Sequence, residues 1–158
     1  MDDPRATGYL VEMKSLYTRL STPKSISFIL EEPEQNLFPR TQVDLFNDII
    51  ALCNSDHPSS VFITTHSPYL LAAVNILLFM GQMQELSVDM EQLKKLTGFN
   101  TFIKKGEFTA YSVSDGTCHS IIDDETGLIK ENELDTASDY NAEVFNRLYQ
   151  LYIQKIRS

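Results

Sequence analysis

Residues Phe28 to Pro39 read FILEEPEQNLFP. An apolar run ends here in Glu31, Glu32, Glu34 and Gln35, so three carboxylates and an amide crowd into five positions. Carboxylates this close repel one another unless a positive group sits among them. The apolar run, Ile26 to Leu30, has strand length and little polar interruption. That predicts a central strand of a parallel sheet, covered on both faces and stopped by Pro33.

The flanks place this strand in an alternating pattern. Upstream, Leu10, Met13, Leu16, Tyr17 and Leu20 form a helical stripe within residues 9–20, broken by Ser21 to Lys24. Downstream, Val43, Phe46, Ile49, Ile50 and Cys53 line one face of a helix from Thr41 to Cys53. A polar loop follows, then a second β-rich run, Val61 to Thr64, ending in Thr64-Thr65-His66-Ser67. Pro68 suits the first turn of another helix, which the apolar residues to Met80 continue. Strand, helix, strand, helix is the α/β order and implies parallel pairing.

Past Gln84 the texture changes. Leu86 to Leu96 reads as a short amphipathic helix ended by Gly98. Phe108 to Val113 and Cys118 to Ile122 are β-prone runs separated by Ser114-Asp115-Gly116-Thr117. Asp-Gly between two such runs signals a type I′ hairpin, because that turn needs positive φ at both central residues. Asp123 to Gly127 reads as a second turn, and Ala142 to Ile156 as a closing helix with Val144, Leu148, Leu151, Tyr152 and Ile156 buried. The expected fold is therefore an α/β lobe with a mostly parallel sheet flanked by helices over 1–84. A helix–hairpin–helix extension of the same domain follows over 85–158.

The chain has 158 residues, 42% of them hydrophobic and 22% charged, a balance that supports a packed core. Its formal net charge of -9 argues against non-specific binding to a nucleic-acid backbone, since that needs a surplus of Lys and Arg. Lys94, Lys95, Lys104 and Lys105 read as a solvated face. Cys53 and Cys118 have no partner at metal-ligand spacing and read as reduced thiols. Met1-Asp2-Asp3-Pro4 is not a signal peptide. Tyr69 to Met83 is too short and too interrupted to span a bilayer, so the expectation is a cytoplasmic protein without membrane contact.

Both polar clusters follow strands. In an open parallel sheet, ligands bind at the carboxyl ends of strands, so neighbouring strands would set Glu31 and Glu32 beside His66. Successive strand residues face opposite ways, which lets one carboxylate address a metal and the other a water. Taken singly, the acidic pair also fits a solvated strand cap and the histidine a structural hydrogen-bonder; their order and spacing together make the case.

With these residues in place, ISFILEEPEQNLFPRTQVDLF followed by VFITTHSPYLL resembles the C-terminal half of an ABC-type ATPase head. The likeness is to the AAA-type and OLD-like bacterial ATPases of the P-loop NTPase superfamily, and it covers residues 6–84. The resemblance implies that Glu31 holds Mg²⁺ in a Walker B position, although Asp is commoner there, and that Glu32 is the catalytic carboxylate. It implies that Glu34, Gln35, Asn36 and Leu37 form a D-loop that meets a partner subunit, and that His66 is the switch histidine sensing the γ-phosphate of ATP. Thr7 and Gly8 stand where the family has a Ser-Gly signature segment opening a helix; a plain N-terminal cap is the other reading. Asp123-Asp124-Glu125 suggests the second metal site of some OLD-like nuclease domains and equally a solvated turn.

No G-x-x-x-x-G-K-[ST] occurs, and none of the six glycines precedes Lys-Ser or Lys-Thr. The backbone cradle for phosphates must then come from elsewhere. The expectation is a C-terminal fragment of an ATPase, inactive alone, that pairs with a missing N-terminal ATPase half and forms a homodimer or otherwise self-associates. DNA contact would arise only through the intact protein. The alternative is a stand-alone protein-interaction module derived from a degenerate ATPase lobe.

Overall fold

The structure is a computed structural model that describes residues 4–19, 26–55 and 59–130. The closing helix expected over Ala142 to Ile156 lies outside the described residues. In chain order the elements are α1 (Pro4–Arg19), β1 (Ile26–Glu31), α2 (Pro39–Cys53), β2 (Ser59–Thr64), α3 (Pro68–Glu85), α4 (Met90–Thr97), β3 (Tyr111–Ser114) and β4 (Thr117–Ser120). The fold is α/β: four helices, a parallel pair β1–β2 and an antiparallel hairpin β3–β4 among the described residues.

Local chemistry sets the boundaries. Both helices that follow the parallel strands open on proline, where the missing N–H costs nothing. Ser67 caps α3 by accepting from the Leu70 N–H at 3.4 Å, and Asp89 caps α4 by accepting from the Gln92 N–H at 3.2 Å. Gly98 ends α4 at φ 80°, its N–H bonded to the Lys94 carbonyl at 2.9 Å. The hairpin turn has Asp115 at φ 49° and Gly116 at φ 73°, the two positive values a type I′ turn requires.

The register runs from Ile26 opposite Ser59 to Glu31 opposite Thr64, so both strands end level. One face of the pair is covered: Phe28 packs with Met13 of α1 and with Leu37, Leu45 and Ile49, and Leu30, Val61 and Ile63 lie against the same cluster. The other face carries Ser27, Ile29, Glu31, Ser60, Phe62 and Thr64 and is open, with Ile29 81% and Phe62 63% exposed. The expectation of a strand covered on both faces is therefore corrected. Alternate positions here are serines, Glu31 and Thr64, which is the pattern of a half-covered strand, and only Ile29 and Phe62 make the run look fully apolar.

A second core joins α2, α3 and α4 to the segment up to Ile129, through Phe46, Leu70, Leu77, Leu93, Phe99, Ile103, Ile121 and Ile129. Hydrogen bonds at Leu77, Asn54 and Asn75 help hold that segment in place. The Ile103 N–H donates to the Leu77 carbonyl at 3.0 Å. The Asn54 amide donates to Thr101 Oγ1 at 2.9 Å and to the Phe102 carbonyl at 2.7 Å. Asn75 donates to the Ile129 carbonyl at 3.0 Å and accepts from its N–H at 2.7 Å, filling both backbone groups of one residue.

Candidate functional site

The site forms where β1 and β2 end. Glu31 closes β1 on the open face of the sheet, level with Thr64. The next residue leaves the strand geometry: Glu32 has φ 42°, a region that side chains beyond Cβ adopt at a cost of about 1–2 kcal/mol. Its N–H still bonds the Thr64 carbonyl at 2.9 Å, so the turn is anchored to β2. Asn36, at φ 61°, makes the second left-handed step, and the Leu37 N–H closes a turn onto the Glu34 carbonyl at 3.1 Å. Two such residues within one short loop fit a segment whose shape serves side-chain placement.

That loop brings Glu32 to His66. His66 Nε2 stands 3.4 Å from Glu32 Oε1, with the imidazole 82% exposed and the carboxylate 28% exposed. The other oxygen, Glu32 Oε2, accepts from the Gln35 amide at 2.5 Å. The carboxylate is thus held from two sides, by a loop residue behind it and by a histidine from the neighbouring strand end.

Glu34 faces the other way. It is 6% exposed, and its Oε1 accepts from the Thr65 hydroxyl and from the His66 N–H, the latter at 3.2 Å. Thr65 Oγ1 in turn accepts from the Ser67 N–H at 3.0 Å. Glu34 Oε2 is buried without a hydrogen-bond partner among the described residues, a cost of about 1–3 kcal/mol that the surrounding structure must offset. Gln42, one turn into α2, completes the stitching: its amide donates to the Leu37 carbonyl at 2.9 Å, and its Oε1 accepts from the Ser67 hydroxyl at 2.6 Å. An open cleft of about 290 Å³ lies over this junction, bordered by Gln35, Asn36, His66 and Tyr69.

Of the residues singled out from the sequence, Glu31, Glu32, Glu34, Gln35, Asn36, Leu37 and His66 all gather at this one end of the sheet. Within the D-loop-like stretch, Gln35 and Asn36 are exposed whereas Glu34 and Leu37 are buried, so only the middle pair faces outward. Thr7 and Gly8 are exposed but lie inside α1, which begins at Pro4, rather than opening a helix. Gln42 escaped the sequence reading, because a glutamine in an amphipathic helix carries no signal of a buried polar partner.

The metal requirement can be tested against these side chains. Among the described residues no group of three or more His, Cys, Asp and Glu is placed to hold an ion. An all-protein cage is therefore not built here. A Mg²⁺ shared with nucleotide phosphates needs only one or two carboxylates, and Glu31 at the strand end fits that lesser role. Asp123 to Gly127 forms a turn, with the Thr126 N–H and hydroxyl both donating to Asp123 Oδ1 at 2.8 Å. No helix among the described residues is long and apolar enough to cross a membrane.

Comparison with protein-family models, with curated proteins and with solved structures finds no match to this chain.

Proposed function

We propose that this chain supplies the catalytic-carboxylate and switch-histidine portion of an ATP-hydrolysing head of the P-loop, ABC type. The observation that carries the reading is the approach of Glu32 and His66, 3.4 Å apart, from the ends of two adjacent parallel strands. Carboxyl ends of parallel strands are where such sheets bind ligands. A carboxylate and an imidazole meeting there pair a proton acceptor with a hydrogen-bond donor.

In this reading Glu32 accepts a proton from, and orients, the water that attacks the terminal phosphoryl group. His66 donates a hydrogen bond to the phosphate oxygens. Gln35 holds the second carboxylate oxygen and fixes the first toward His66. Glu31 would hold Mg²⁺, which when bound neutralises charge on the phosphate oxygens. The P-loop with its lysine comes from a segment outside these 158 residues, and Gln35 and Asn36 face outward toward a partner.

The experiment has two arms. Calorimetric titration of ATP–Mg²⁺ into this chain gives no detectable heat if the cradle lies elsewhere; micromolar binding would overturn the shared-site reading. In an assembly that includes the P-loop segment, Glu32→Gln retains ATP and loses turnover, and wild-type turnover in that variant defeats the assignment of Glu32.

One observation favours a second reading, a protein-interaction module. Ile29 and Phe62 form an exposed apolar pair in register on the open sheet face. Under that reading Phe62→Ser abolishes partner binding while Glu32→Gln and His66→Ala leave it unchanged.

A further inference from the structure

We infer that Glu34 is a positioning residue: its buried carboxylate latches the loop after β2 to the loop after β1 and so sets the approach of His66 to Glu32. The inference rests on the proposed site only for its catalytic meaning; the latch itself is a property of this chain.

Two loops must agree for Glu32 and His66 to meet. Backbone pairing between the strands stops at the Glu32 N–H, which bonds the Thr64 carbonyl. Beyond that point the strands no longer hold each other, yet His66 lies two residues further on. A single oxygen, Glu34 Oε1, spans this gap by taking the Thr65 hydroxyl and the His66 backbone N–H together. The second of these bonds is on His66 itself, so the root of the imidazole is fixed by the same loop that carries Glu32. The imidazole is 82% exposed and has little packing to orient it. Its placement therefore depends on the backbone beneath.

The chemistry of the latch explains a residue choice that packing alone would not make. A site 6% exposed, bordered by Leu45, Phe46, Ile49 and Leu70, suits an apolar side chain. It holds a carboxylate whose second oxygen finds no partner among the described residues. A carboxylate accepts two donors at one oxygen with charge-assisted strength. A leucine would fill the volume and leave the Thr65 hydroxyl and the His66 N–H unpaired. The cost of the orphan oxygen is tolerated in exchange for a fixed crossing between the two loops.

The test is nuclear magnetic resonance on the full 158-residue chain. The wild-type protein shows cross-relaxation between the His66 ring protons and the Glu32 side-chain methylenes, a Gln35 amide resonance shifted by the Glu32 carboxylate, and an ordered His66 backbone amide. Glu34→Leu and Thr65→Val are compared with it, and Glu34→Gln serves as the conservative variant that keeps one acceptor oxygen. Glu34→Leu and Thr65→Val lose the His66–Glu32 cross-peaks and lower the His66 order parameter, and Glu34→Gln restores both. If Glu34→Leu fails to fold, Thr65→Val decides: it keeps shape and burial and removes the hydroxyl that binds Glu34 Oε1 and accepts from the Ser67 N–H. Retention of wild-type cross-peaks and order in Thr65→Val, or in a folded Glu34→Leu, overturns the latch even if stability falls. None of these readouts uses nucleotide, so a chain outside any ATPase would still pass or fail this test on its own.

Discussion

Asp123 holds its side chain toward the charged form. The Thr126 N–H, then the Thr126 hydroxyl, hold its carboxyl below the ordinary value of 3.8. A depressed carboxylate contributes stability that is complete above its unfolded value and is lost as pH falls through the folded one. Asp123→Asn should therefore remove part of the stability at neutral pH and flatten the decline below pH 3.8; urea midpoints measured across that range check the sign. The two thiols make a second contrast. Burial pushes the Cys53 thiol up, and Cys118 lies exposed in β4. Since the thiolate is the reactive form, an aromatic disulfide reagent should titrate Cys118 first and Cys53 more slowly, with unfolding abolishing the difference. At this scale the sequence was readable where chemistry is local. Asp123, Thr126 and Gly127 spell a turn in their own letters. Glu34 was not readable, because an exposed loop glutamate and a buried bridging one look alike until the opposing strand end is in place.

The elements were legible where two signals agreed. Pro68 with Ser67 before it marks the start of α3, and Asp115-Gly116 marks the hairpin. What stayed hidden was how one element accommodates another. Gly81 sits within α3, where a glycine weakens a helix by about 1 kcal/mol relative to alanine. Its reason is steric: a Cβ there would stand 2.0 Å from the Ile103 carbonyl oxygen, on the segment bonded to Leu77. That oxygen is backbone and cannot swing away. Gly81→Ala should consequently lose stability, by about 1–3 kcal/mol of overpacking against the smaller helical gain. Chemical denaturation with both proteins side by side reads the difference, and a stabilised variant would show that the segment yields.

Across the whole molecule, the alternation of strands and helices gave the α/β class, but coverage of the sheet could not be read from it. Burial on the second face depends on what packs there, which no run of five residues encodes. A two-stranded parallel sheet is a small one, and its open face carries Ile29 and Phe62. Apolar groups on a bare sheet favour association. Sedimentation of the full chain should show concentration-dependent dimers or larger species, and the pair Ile29→Thr and Phe62→Ser should shift it toward monomer without lowering the thermal midpoint. A monomer at all concentrations would mean the face is covered within the chain.

The open face has a colloidal consequence. At neutral pH the formal charge of -9 opposes the association of copies and limits how far it goes. That repulsion fades on approach to the isoelectric point near 4.7, whereas the strands keep their exposed apolar pair. Turbidity should peak in that narrow acid window and clear on either side, a precipitation profile governed by the exposed Ile29 and Phe62 rather than by unfolding.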